Sequence, residues 1–271
     1  MVMTALDTVF HNLHQNGLLI LANVADAGGA RMVESLGAKA VATSSAAVAW
    51  SHGYPDGNKL PLDLLSTTVR SMARVLSVPL TVDIEGGYSD DPAQVEKVIH
   101  AVIAAGAVGI NIEDGTNSPE LLVRKIDVAK KVADLTGVRL FINVRTDVYL
   151  KNLFPVEQRL EELLKRAALY ADAGANGLFA AGVVTSSDIS TICLESTLPV
   201  NLLSREGLPS VEELKRLGVR RLSAGSSIAE FLQGAMAGLA RSFLDRGQLD
   251  THALKAHTYG EVNALMATKT E

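Results

Sequence analysis

The 271-residue chain has one cysteine, Cys193, which excludes an internal disulfide and any cysteine-rich metal site. It also lacks a long apolar run. The stretch Leu18 to Ala22 is too short to span a bilayer, and no basic-then-apolar segment precedes it. No cluster of lysine and arginine stands out, and the net charge of −5 argues against nucleic acid as the main partner. Nothing reads as an interdomain linker or as low complexity. With 48% hydrophobic and 20% charged residues, the composition is that of an ordinary globular protein. The expectation is one domain over 1–271, in a reducing cytoplasm, without membrane or nucleic-acid partners. Cys193 falls in a short helical pattern from Asp188, where a small packed side chain is expected rather than a nucleophile.

What the chain does have is a repeat. Helix-like segments end in Gly or a small residue, and short apolar runs follow, as in Ala105-Gly-Ala-Val-Gly-Ile-Asn-Ile and Ala173-Gly-Ala-Asn-Gly-Leu-Phe. A second form alternates with it, as in Gly137-Val-Arg-Leu-Phe-Ile-Asn-Val. Glycine suits a left-handed helix C-cap, and the runs suit parallel strands buried on both faces. With Leu18 to Asn23 as the first strand, about eight runs alternate with helices, the count of a (β/α)8 barrel. The helix over Val156 to Asp172 places Leu160, Leu163, Leu164, Ala167 and Ala171 on one face. Ser210 and Glu213 have the spacing of a capping box.

Barrels of this kind carry their sites at the carboxyl ends of the strands. The acids after the buried run Leu80 to Ile84 are Asp83 and Glu85, two apart and so on one side of a strand. The other strand ends contribute Asp26, Thr43-Ser44-Ser45, Glu113, Asp114, Arg145, Asp147 and Asn201. A ring of carboxylates with one arginine suits a hard divalent cation beside an anionic substrate. Taken singly, Asp26, Ser44 and Ser45 fit helix N-caps equally well, and Arg145 fits an internal salt bridge to Asp147. His52 and Trp50 fit either a pocket wall or plain packing, and His100 fits a structural role.

Six segments, in order, resemble the isocitrate lyase/phosphoenolpyruvate mutase superfamily. They are Asn23-Val-Ala-Asp-Ala-Gly-Gly-Ala-Arg, Ala42-Thr-Ser-Ser-Ala-Ala-Val-Ala, Gly53-Tyr-Pro-Asp56-Gly, Thr81-Val-Asp-Ile-Glu-Gly-Gly-Tyr, Gly109-Ile-Asn-Ile-Glu-Asp and Val144-Arg-Thr-Asp. The resemblance implies a (β/α)8 barrel that binds Mg2+, with Mn2+ as a substitute, and acts on small 2-oxo acids or their enolates. It implies metal ligation by Asp83, Glu85 and Glu113, partly through water. It places Asp56 on a catalytic loop, Arg145 on the substrate oxygens, and Thr43, Ser44, Ser45 and Asn201 around the substrate. Many relatives carry Asp where this chain has Glu85.

Departures limit the reaction. The Lys-Lys-Cys-Gly-His type of loop that serves family lyases is absent, since Glu113-Asp-Gly-Thr-Asn-Ser-Pro runs straight into a helix. Thr116-Asn-Ser118 is similar to the end of the phosphonopyruvate gating loop but lacks its lysine. Phe179-Ala-Ala181-Gly stands where relatives place a His or Glu. The groups that remain suit a C–C lyase or decarboxylase acting on an oxaloacetate-like acid, with oxalate as a mimic. The alternatives are a phosphonomutase or P–C hydrolase, and a non-catalytic oxo-acid binder. A ketopantoate hydroxymethyltransferase-like enzyme would want lysine at Asn111. Residues 226–271 read as a helical extension, Ser226 to Phe243 and His252 to Met266, and the first of these is rich in apolar residues. Superfamily members commonly exchange such a helix between subunits, so a homodimer or homotetramer is expected.

Overall fold

The computed structural model describes residues 2–251 and 256–267, with side chains from residue 5 onward. Helix α1 (Val2–Leu13) precedes β1 (Leu19–Leu21), β2 (Asn23–Val24), α2 (Ala27–Ser35), β3 (Val41–Thr43) and α3 (Ser45–Ser51). There follow α4 (Leu62–Val75), β4 (Leu80–Asp83), α5 (Pro92–Ala104), β5 (Gly109–Glu113), α6 (Pro119–Thr136) and β6 (Phe141–Thr146). The chain continues through α7 (Val156–Ala173), β7 (Gly177–Ala180), α8 (Ser186–Glu195) and β8 (Val200–Leu203). It ends with α9 (Val211–Arg216), β9 (Arg221–Ser223), α10 (Ser227–Arg246) and α11 (Tyr259–Ala267).

All strand pairings are parallel, in the order β1-β9-β8-β7-β6-β5-β4-β3-β2. The first expected strand is broken at Ala22. Its front part pairs with β9 and its rear part with β3, so the covalent link between β1 and β2 closes the ring. The architecture is the expected (β/α)8 barrel. Gly137 and Gly174 end α6 and α7 with φ of 67° and 97°, the left-handed caps the repeat implied.

Burial follows the sequence pattern. Val82, Ile84, Ile110, Ile112, Ile142 and Val144 pack against Val69, Met72, Ile99, Ile126 and Ala129 of α4, α5 and α6. Sequence reading missed α1, whose Phe10 fills the amino-terminal end of the barrel with Leu19, Leu21, Val108 and Phe141. A Cβ at Gly109 would lie 2.6 Å from the Phe10 ring, so glycine makes room for that plug. At Ser210 the expected capping box is half made. Its hydroxyl accepts from the Glu213 amide at 3.2 Å, but the Glu213 carboxylate pairs with Arg216 at 2.6 Å.

Helix α10 leaves the barrel. Ser242 is its one buried residue, and Phe231, Leu232 and Met236 are largely exposed. On the barrel wall, Ile20 of β1 is 54% exposed beside a groove lined by Leu18, Val33, Leu36 and Ile228. Helix α11 returns to α2, where Arg31 Nε donates to the Leu265 carbonyl at 3.2 Å. Of the extension read from His252 onward, residues 252–255 lie outside those described.

Candidate active site

At the carboxyl end of β4, Asp83 is 9% exposed. Its amide donates to Thr43 Oγ1 at 2.8 Å, so buried Thr43 braces the strand end. Its carboxylate accepts from the Glu85 amide at 3.0 Å and from Asn111 Nδ2 at 3.2 Å. Burial pushes the Asp83 carboxyl above its ordinary range, against the pull of Arg145 and these hydrogen bonds, and nearby Asp56 pushes the same way.

The strand stops at Asp83, and Glu85 has a left-handed φ of 52°. The alternation that would point Asp83 and Glu85 to one side therefore does not apply. Instead Glu85 Oε2 accepts from the amide of Asn58, which ties the Gly53–Lys59 loop to β4. Its other oxygen is buried without a hydrogen-bond partner. Burial, then the charges of Asp56 and Asp83, push this carboxyl up to about 6.

Across the mouth, Arg145 makes an internal salt bridge and also lines the cavity. Its Nε and Nη2 bind Asp147 at 2.6 and 3.1 Å, and its Nη1 lies 2.7 Å from Glu113. Lys151 Nζ adds a second cation, 2.8 Å from Asp147 and 3.9 Å from Glu113. Burial pushes Glu113 up to about 7, with Asp83 and Asp147 adding to the shift and Arg145 opposing it. For Arg145 burial works downward, but Glu113, Asp147 and Asp83 outweigh it and hold the guanidinium charged. Asp114 belongs to the scaffold. It accepts from the Asp147 amide at 2.9 Å and from Arg166 and Tyr170, both at 2.8 Å.

A cavity of about 400 Å3 opens above Asp83 and Arg145, and Glu85 and Glu113 are not among its lining residues. Of the residues expected in the site, Ser44, Ser45, Asp56, Asp83 and Arg145 line it. Thr43 and Asn201 lie beneath, and Asn201 accepts from Ser223 Oγ at 3.1 Å. Ser44 is an N-cap: its hydroxyl accepts from the Ala47 amide at 3.3 Å, and its own amide donates to Val24. The amides of Ser45 and Ala46, at the start of α3, have no acceptor within the helix. Asp26 caps α2 through Gly29, and His52 Nε2 pairs with Thr68 Oγ1 at 2.8 Å. His100 lies on α5, 4.0 Å from Glu96. Cys193 is half-buried and its thiol is pushed up to about 11 by burial, which leaves it unreactive.

Sequence reasoning missed Asn111 and Arg221. Asn111 stands two residues before Glu113 on β5, so alternation alone would have brought it to the barrel interior. Arg221 is 1% exposed, donates to Asn111 Oδ1 at 3.2 Å, and keeps Nη1 without a partner. Burial draws its pKa down to about 9, against the pull of Asp83. An arginine inside an apolar strand pattern was the available signal.

The donors that could meet a metal are all carboxylate oxygens, the chemistry a hard cation prefers. The buried free oxygen of Glu85 and the mutual repulsion of Asp56, Asp83, Glu85 and Glu113 favour a cation there. Among the described residues no three acids or histidines form a ready cage.

The chain matches the model of the phosphoenolpyruvate phosphomutase family over residues 10–244. It belongs to that family. It is 32% identical over 245 residues to an uncharacterized protein of Mycobacterium tuberculosis, covering 89% of this chain and 90% of that one. It is 31% identical over 207 residues to an oxaloacetate decarboxylase of Bradyrhizobium sp., covering 72% and 68% of the two chains. A structure from Burkholderia cenocepacia, provisionally assigned as a phosphonomutase, superposes with a TM-score of 0.82 at 37% identity, over 87% of this chain and 99% of that one. An oxaloacetate acetylhydrolase bound to its product oxalate gives 0.85 at 20% identity, over 98% and 95%, a likeness of fold. The superfamily read from the six segments is thereby shown, and its named members include lyases, hydrolases and mutases.

Proposed function

We propose that this member of the family is a Mg2+-dependent enzyme that breaks a carbon–carbon bond in a small 2-oxo acid by way of an enolate, with decarboxylation of an oxaloacetate-like acid as the leading case. The observation that carries the reading is Asp83 and Arg145 on the floor of one cavity, flanked by buried Glu85 and half-buried Glu113, whose pKa values are raised. Asp83, Glu85 and Glu113 would hold the ion. A bound Mg2+, or Mn2+ in its place, supplies a Lewis acid for the charge that develops on the keto oxygen.

The protein's own groups position the acid. Glu113 and Asp147 take three of the five N–H donors of Arg145, which leaves one on each terminal nitrogen for substrate oxygens. The amides of Ser45 and Ala46 receive the substrate carboxylate, with Ser44 fixing their direction. Thr43 and Asn201 brace the floor. Asp56 lines the cavity on an exposed loop and is the group placed to pass a proton.

Oxaloacetate decay in Mg2+ is the test, with Asp83→Asn as the control because free Mg2+ also promotes this reaction. Asp83→Asn keeps the hydrogen-bonding shape, so it should fold normally and lose all rate above the protein-free control. Equal rates in wild type and variant would overturn the assignment. The 37% identity to the provisional phosphonomutase supports P–C chemistry as the second reading. Phosphonopyruvate turnover without oxaloacetate turnover would select it, and metal-dependent oxalate binding without any turnover would select a binding protein.

We also propose a homo-oligomer, a dimer or a tetramer. The exposed apolar residues Phe231, Leu232 and Met236 of α10, and the groove beside Ile20, are apolar surfaces that a partner subunit would cover.

A further inference from the structure

The loop that carries Asp56 is anchored by a residue that sequence reading did not single out. From Trp50 to Lys59 the chain is exposed, between buried Ala49 and buried Leu60. Past Tyr54 this loop is tied to the barrel through Asn58. The Asn58 amide donates to the Glu85 carboxylate, and the Asn58 side-chain oxygen accepts from the Tyr88 amide at 3.1 Å. Loop and β4 turn thus clasp each other in both directions. Asn58, Glu85 and Tyr88 have φ of 59°, 52° and 61°, three of the four non-glycine residues with positive φ among those described. Asparagine tolerates that backbone, but glutamate and tyrosine adopt it only where their surroundings hold it.

The turn side of the clasp is firmly held. Lys125 of α6 is 2% exposed, and its Nζ donates to the Gly86 carbonyl at 2.7 Å and to Asp90 at 2.9 Å. Opening therefore falls on the exposed loop. Closure is electrostatically uphill: burial raises the carboxyls of Asp83 and Glu85, and Asp56 in its clasped position adds to both shifts. A cation on these acids relieves that repulsion. Glu85 can serve both partners at once, since one oxygen accepts from Asn58 and the other is buried without a hydrogen-bond partner.

We infer that Asn58 is a positioning residue: its clasp on Glu85 and Tyr88 holds Asp56 over the floor, and a cation at Asp83 and Glu85 tightens that clasp. Metal binding and the placing of Asp56 are then one coupled event. The coupling rests on the metal site proposed above, whereas the clasp itself does not.

Hydrogen exchange read by mass spectrometry over residues 53–60 and 84–90 tests it, with Mg2+ affinity measured by calorimetry. Asn58→Gly keeps the amide and the backbone shape but removes the side-chain acceptor. Without Mg2+ it should speed exchange in both segments by about threefold to tenfold, the effect of one neutral hydrogen bond. Asn58→Asp restores an acceptor and should slow exchange again. Saturating Mg2+ should slow both segments in wild type. Glu85→Gln keeps an acceptor for the Asn58 amide, so it should stay protected without Mg2+ yet lose the Mg2+ effect. A merely structural clasp would ignore the ion, so Mg2+ that binds wild type without slowing either segment would overturn the inference. Faster exchange in Asn58→Gly confined to 53–60, or no recovery in Asn58→Asp, would overturn it too. Failure of Mg2+ to bind wild type would instead overturn the metal reading, and the coupling with it.

Discussion

The plug under the barrel gives the sharpest quantitative test, because it holds a histidine that cannot take up a proton cheaply. His14 is 3% exposed, its Nδ1 donates to the Phe10 carbonyl at 2.8 Å, and its ring stacks on Phe141 with centroids 3.9 Å apart. Its Nε2 is buried without a partner. Burial first, and the charge of Arg221 second, lower its pKa from the ordinary 6.5 to about 3. The folded protein therefore refuses a proton that the unfolded chain accepts below 6.5. For this depressed value, stability is fully present above 6.5 and declines as pH falls through the window down to about 3. Near pH 5 the loss is about 2 kcal/mol, from roughly 1.5 pH units at about 1.4 kcal/mol each.

Glu85 and Glu113 act in the opposite direction. Their raised folded values mean that the folded state gains protons before the unfolded state does, so acid relieves their cost as pH falls from about 7. A single pH profile would mix the two effects. The difference between wild type and His14→Phe separates them, since both proteins share the carboxylates and phenylalanine keeps the stacking without titrating. Urea unfolding near pH 8 and near pH 5 should show wild type losing about 2 kcal/mol more than the variant. Identical pH dependence in the two proteins would refute the account of a neutral, unsolvated His14.

Arg145→Lys should weaken Mg2+-dependent oxalate binding by about tenfold to a hundredfold while Mg2+ affinity persists, because a point charge cannot replace the fork. Calorimetry with and without Mg2+ reads both quantities, and unchanged oxalate affinity would make Arg145 purely structural. Light scattering at micromolar concentration should give at least a dimer, and replacing Phe231 and Leu232 with serine should shift the mass toward monomer. A monomeric wild type would leave α10 unexplained. Isocitrate and 2-methylisocitrate should not be cleaved, since Asp114 to Ser118 is too short to carry the cysteine loop. Release of glyoxylate or pyruvate from either acid would show that another residue supplies the proton.

The barrel was legible in the sequence because its signals are local. Gly137 and Gly174 mark helix ends, and the valine and isoleucine runs after them are strands whatever surrounds them. Asp83 was legible for a similar reason, as an acid closing an apolar run. The orientation of Glu85 was not, because a left-handed backbone at a glutamate reflects the hydrogen bond it makes to a distant loop at Asn58. The two readings of Arg145 could not be separated in sequence; the structure shows the salt bridge to Asp147 and places Arg145 on the cavity lining. Arg221 and α1 were missed because their partners, Asn111 and Phe141, are far away in the chain.

Two cations, half-buried Arg145 and fully buried Arg221, bracket the acid of β4. Arg145 approaches from the mouth and Arg221 from within the barrel through Asn111, and both act on Asp83 electrostatically. With Lys151 beside Asp147 they make three cations against Asp83, Glu85, Glu113, Asp147 and the nearby Asp56, so the floor favours a further positive charge. That argument concerns binding, and the missing groups bear on the reaction. The short loop after β5 and the buried Ala181 after β7 remove the side chains that would deliver protons from two sides of the mouth. Decarboxylation of an oxo diacid needs an electron sink at the floor and one proton returned to carbon. In the proposed reaction Asp56, or solvent entering past it, would meet that need. The charge imbalance at the floor thus bears on what binds there, and the upper rim on the route by which the proposed reaction would regain its proton.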